Sequence, residues 1–103
     1  MRLPSLSGLR AFDALGRTGS LRAASEELGV SPTVLSRHVR NLQLELKVPL
    51  VSASGRGLSL TAAGQAFHAQ VGRAFDILRR ANQDIRPTAR RSLTIWSIPG
   101  IAN

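Results

Sequence analysis

The sequence predicts a mainly α fold of three short helices, a two-stranded hairpin and one long helix, on three observations. Apolar residues recur at helical spacing in four segments, each preceded by a Ser or Thr able to cap it. Gly29 stands between the second and third segments, where a left-handed residue ends one helix before the next begins. Two short apolar runs, Leu50-Val51 and Leu58-Ser59-Leu60, flank Ser54-Gly55-Arg56-Gly57, the pattern of a hairpin with an arginine at its tip.

The first helix carries Leu6, Leu9, Phe12, Ala14 and Leu15 after Ser5 or Ser7, either of which can cap it, and runs to about Arg17. Thr18-Gly19-Ser20 interrupts the chain. Ser20 then caps a second helix with Leu21, Ala24 and Leu28 on one face, and Gly29 ends it. Ser31-Pro32 is a cap followed by Pro in the first helical position, so a third helix runs from Pro32 to about Leu46. Leu35, Val39, Leu42 and Leu46 form its buried stripe, and Thr33, Ser36, Arg37, Arg40 and Gln43 lie on the other side.

After Pro49 and the hairpin, Thr61 caps a long helix through about Ile85. Its positions Phe67, Val71, Ala74, Leu78, Ala81 and Ile85 keep a heptad period. That seam either folds back on the first helix or pairs with the same helix of a second chain, and both can hold at once. Beyond Pro87 lies a basic linker to Arg91, and Leu93 to Ile98 alternates like a strand with nothing after it to pair with. The expected divisions are therefore 1–61 for the three short helices and the hairpin, 62–86 for the long helix, and 87–103 for a linker and the first strand of a further domain.

Composition narrows the function. The chain has 103 residues and a net charge of +8, and 13 of its 14 basic residues are Arg. Arginine's planar fork can donate two hydrogen bonds to a phosphate or a guanine, so the favoured partner is nucleic acid. Without cysteine there are no disulfides, thiolate metal sites or thiol nucleophiles. No stretch approaches the roughly 18 apolar residues of a membrane span, and the N-terminus lacks an apolar signal region, so a cytoplasmic protein off the membrane is expected. His38 and His68 are too far apart and too poorly accompanied to suggest a metal site; His68 reads as surface, and His38 as a residue that can touch a phosphate. No carboxylate pair, Ser/His/Asp set or phosphate loop is present, and no catalysis is expected.

Two short helices joined at Gly29, the second with a polar and basic outer face, form a helix-turn-helix pattern. Its candidate DNA contacts are Ser31, Pro32, Thr33, Ser36, Arg37, His38 and Arg40. Thr33, Ser36, Arg37 and Arg40 project together, Arg37 being suited to guanine O6 and N7, and Ser36 or Thr33 to a base edge or a thymine methyl. Ser31-Pro32 would aim the positive end of its helix at a phosphate. Arg56, on a Gly-flanked loop, suits the minor groove or a phosphate. The plain alternative for this face is a solvated helix surface, which is the favoured reading for Arg73, Arg79 and Arg80.

Five segments then match a known family in order and spacing: Leu9-Arg-Ala-Phe-Asp-Ala-Leu, Gly19 to Ser31, Leu35-Ser-Arg-His-Val-Arg-Asn-Leu42, Val48-Pro-Leu50, and Gly55-Arg-Gly-Leu-Ser-Leu-Thr-Ala-Ala-Gly64. Over about residues 3–86 the chain resembles the N-terminal domain of LysR-type transcriptional regulators, most of all the branch that includes the glycine-cleavage activator. The tail from Leu93 is similar to the first strand of that family's effector-binding domain. The resemblance implies a bacterial winged helix-turn-helix domain, three helices plus a two-stranded wing, followed by a long dimerisation helix. It further implies a homodimer on inverted-repeat promoter sites in double-stranded DNA, with a higher oligomer left open for the full-length form. Ser36 and Arg37 match the family's DNA-contacting pair, and Arg56 its wing. No cofactor is expected in this chain, since a small-molecule effector would need the family's C-terminal domain. A non-specific architectural DNA-binding protein, or a truncated dimerisation module, are the alternatives.

Three departures from the family stand out. Pro32 replaces a base-reading Gln, Leu50-Val51-Ser52-Ala53 replaces Leu-Phe-x-Arg, and Lys47 stands where a Gly is usual.

Overall fold

The computed structural model describes residues 3–54 and 57–96, with side chains over 3–53 and 57–86. Helix α1 spans Leu6–Thr18, α2 Leu21–Leu28, α3 Pro32–Leu46 and α4 Ala62–Trp96; strands β1 (Val51–Ser54) and β2 (Gly57–Leu60) lie between α3 and α4. Each helix start is built locally. Ser5, Ser20 and Ser31 accept hydrogen bonds from the backbone N–H of Gly8, Ala23 and Val34, each at 3.1 Å. Thr61 accepts from Gly64 N–H at 2.9 Å and donates to Pro49 O at 2.7 Å, which ties the α4 cap to the chain leaving α3. Gly19 and Gly29 end α1 and α2 in the left-handed conformation. Lys47 does the same for α3 at φ 59°, a conformation that costs a side chain more than it costs glycine.

The strands pair antiparallel, Val51 opposite Leu60 and Ala53 opposite Leu58. Ala11, Ala14 and Leu15 of α1 pack with Ala24 of α2 and with Leu35 and Val39 of α3. A second cluster joins Phe12, Leu42 and Leu50, against which Phe67 of α4 lies, its ring 5.6 Å from that of Phe12. Two glycines permit close approach of elements. A Cβ on Gly8 would sit 3.3 Å from Leu42 Cβ, and one on Gly64 only 2.0 Å from the Leu50 carbonyl oxygen.

The long helix differs from the sequence expectation. It continues through Pro87 to Trp96, so the expected linker and the start of the expected strand at Leu93 are helical; Ser97 and Ile98 lie outside the described residues. Pro87 removes one backbone donor, but Ala and Arg in the following turns favour helix, and a strand there has no partner among the described residues. The chain divides into two compact units at Gly72 and Arg73, within α4, so the first turns of that helix belong with α1–α3 and the hairpin.

His68 is not a surface residue. It is one-fifth exposed, edge-on to Phe12, with Nε2 3.1 Å from the Asp13 carbonyl oxygen and 3.3 Å from Asp13 Oδ1. Asp13, buried in α1, also accepts from Arg17 Nε at 3.0 Å, and Arg17 reaches Glu27 of α2 through Nη1 at 3.1 Å. The Glu27 hydrogen bond, followed by the Asp13 interactions and against partial burial, raises the Arg17 pKa, so this arginine stays charged and serves the fold.

Candidate nucleic-acid interface

The helix-turn-helix is formed by α2 and α3, and its outer surface collects most of the expected contact residues. Ser31, Pro32, Thr33, Ser36, Arg37 and Arg40 are all exposed. Thr33, Ser36, Arg37 and Arg40 share one side of α3, opposite the buried Leu35, Val39 and Leu42. Arg17, Arg22 and Arg79 pair with carboxylates. Among the described residues no carboxylate engages Arg37 or Arg40, and these two cations remain available to an anion.

The start of α3 is less open than the sequence suggests. Pro32 has no N–H and Val34 N–H donates to Ser31 Oγ, which leaves the N–H of Thr33 as the one in this turn not taken by the cap.

A shallow concavity lies along this face, lined by Leu21 of α2 and by Pro32, Thr33, Ser36, Arg37 and Arg40 of α3. Leu21 falls on the apolar face of α2 by its spacing. It packs against the core and also borders the concavity, a double role that periodicity alone does not reveal.

One expected contact stands apart from the group, and Gln43 of the polar stripe is engaged elsewhere. His38 is half-buried and lies roughly 140° around α3 from Thr33, on the flank. Gln43 is not a spare polar side chain: its Oε1 accepts from Leu50 N–H at 2.7 Å and Val51 N–H at 3.0 Å, fixing the entry to the hairpin. The two strands form as expected, while Gly55 and Arg56 at the tip lie outside the described residues.

The heptad seam of α4 divides. Phe67 packs on Phe12 and Val71 is buried, whereas Ala74, Leu78, Ala81 and Ile85 are exposed, as is Ile77 beside them. Arg73, Arg79 and Arg80 are exposed, Arg79 bonding to Asp76 at 2.7 Å. Among the described residues no helix is long and apolar enough to cross a membrane, and no group of three or more His, Cys, Asp or Glu could hold a metal ion.

Residues 6–65 match the model of the bacterial regulatory helix-turn-helix protein, lysR family. Over 102 residues the chain is 37% identical to an uncharacterized HTH-type transcriptional regulator, y4mQ, of Sinorhizobium fredii, covering 99% of this chain and 34% of that protein. It is 33% identical, also over 102 residues, to the glycine cleavage system transcriptional activator of Escherichia coli, covering 98% of this chain and 33% of that protein. The chain thus spans about a third of the length of these relatives. Among solved structures, the CbnR DNA-binding domain in its complex with DNA superposes with a TM-score of 0.69 at 33% identity, over 82% of this chain and 98% of that one.

Proposed function

The chain belongs to the LysR family of bacterial regulatory helix-turn-helix proteins, and from that membership we propose that it is the DNA-binding part of a transcriptional regulator that reads inverted-repeat promoter sites as a homodimer. The observation that carries this reading is the exposed face of α3, where Thr33, Ser36, Arg37 and Arg40 stand together and both arginines lack a carboxylate partner among the described residues. A helix is the width of element that enters the major groove, and Arg37 has the donor fork that matches guanine O6 and N7. Arg40, the Thr33 N–H and Arg56 on the wing are assigned to the phosphate backbone or the minor groove, where they position the domain more than they read sequence. His38 is assigned at most a flanking phosphate. The relative CbnR, seen with DNA on the same fold, supports the assignment.

Dimerisation is assigned to the later seam of α4, because Ala74, Leu78, Ala81 and Ile85 keep heptad spacing and are exposed in the single chain. Two such chains would place their recognition helices on half-sites about 34–36 Å apart, or a multiple of that.

Selection of bound sites from random DNA at stated salt, with sedimentation of the free protein, tests the reading. An inverted repeat bound by a dimer is the expected result. Salt-dependent binding without base preference would make it an architectural protein, and a dimer that binds no DNA would make it a dimerisation module.

A further inference from the structure

We propose that the concavity beside α3 reads the C5 methyl group of a thymine, with Pro32 as the specificity-determining residue; this rests on the DNA-binding reading above. The concavity is chemically two-sided. Leu21, Pro32 and the Thr33 methyl contribute apolar surface, and Ser36, Arg37 and Arg40 contribute donors. Pro32 is exposed at the first position of α3, its ring is rigid, and it has neither a backbone N–H nor a side-chain donor. It cannot read a base by hydrogen bonding, and what it offers is shape and an apolar face.

The floor of the major groove presents one apolar feature, the thymine methyl; its other features there are donors and acceptors. The cytosine amino group set against Leu21 and Pro32 would lose its water without gaining a partner, which disfavours the C·G pair at the same position. The apolar wall therefore selects as well as contacts. Arg37 lines the same concavity five residues further along α3, roughly 7.5 Å of helix rise. The expected reading is thus a thymine and a guanine within about two base pairs of each other in each half-site.

The test substitutes deoxyuridine for each thymidine of the selected site in turn, which removes a methyl and leaves every hydrogen-bonding group. With the full 103-residue chain, one thymine per half-site should respond with about fourfold weaker binding, or about 0.8 kcal/mol for one buried methyl-sized group. In Pro32→Ser that penalty should shrink below about twofold. Serine is compatible with the exposed first-turn position, and circular dichroism checks the fold of the variant. An equal penalty in both proteins would overturn the role of Pro32. A specifically bound site in which no thymine responds would overturn the methyl reading and leave the DNA-binding reading intact. Absence of any preferred site would overturn both.

Discussion

Gly64 offers a quantitative check on how the hairpin is held. Replacing it by Ala places a Cβ 2.0 Å from the Leu50 carbonyl oxygen and 2.9 Å from its carbon. Ordinary contacts begin near 3.4–3.5 Å, so the start of α4 and the chain at Leu50 would have to part by more than about 1 Å. Leu50 has little room to move: it is 2% exposed, packs with Phe12 and Leu42, and its N–H is held by Gln43. Its carbonyl accepts from Thr61 N–H at 3.0 Å, a bond that parting would weaken. Overpacking costs about 1–3 kcal/mol and the lost hydrogen bond about 0.5–1.5 kcal/mol, so a loss of about 2–4 kcal/mol is expected. For a domain of this size that lowers Tm by on the order of 10–20 °C. Gly72→Ala is the control in the same helix: its Cβ would meet nothing nearer than Asp13 Oδ1 at 3.8 Å, so helix propensity should raise stability by up to about 1 kcal/mol. Thermal unfolding followed by far-UV circular dichroism reads both. A Gly64→Ala protein melting within about 3 °C of the parent would refute the close approach, as would two variants shifted in the same direction.

Arg37→Ala should cost about 1–3 kcal/mol on the preferred site and relax preference at one base pair, measured by fluorescence anisotropy; equal losses on all duplexes would reduce Arg37 to a phosphate contact. Arg56→Ala should weaken binding to every sequence and lower the slope of log affinity against log salt by about one, and an unchanged affinity at low salt would remove the wing from the interface. Leu78→Asp, at a residue 57% exposed in the single chain, should give monomers in sedimentation without loss of the fold, whereas an unchanged dimer would place the interface elsewhere. Lys47→Gly should raise the urea midpoint by an amount equivalent to about 0.5–1 kcal/mol, because the φ of 59° is strained for lysine; a lowered midpoint would mean that the lysine side chain contributes more than its backbone costs.

What the sequence made legible was local. Ser20 and Ser31 cap N–H groups three residues on, and Gly19 and Gly29 supply left-handed ends, so each helix boundary depends on a few neighbouring residues. The polar stripe of α3 was legible for the same reason, since 3.6 residues per turn fixes which side chains share a face. Hidden were the roles that depend on a distant partner. Gln43 has the same spacing as a DNA-facing residue, but its acceptor is taken by two N–H groups of the hairpin. His68 stands 55 positions from Asp13 in sequence, and only the packing of α4 on α1 brings its ring to that carboxylate.

The long helix shows why an unbroken period is incomplete information. From Phe67 to Ile85 the heptad runs without a fault, yet a period records only that one side is apolar and does not say against what. Phe67 and Val71 are satisfied inside their own domain, the first on Phe12 and the second at 7% exposure. Leu78 and Ile85, on the same seam, are 57% and 56% exposed. Exposed apolar side chains repeated at coiled-coil spacing are what a helix pairing with its own copy presents. One periodic seam thus packs on the chain's own α1 through Phe67 and, in the proposal above, would meet a second copy through Leu78 and Ile85. A substitution at Phe67 should therefore be read out first as lost stability, and one at Leu78 first as lost assembly.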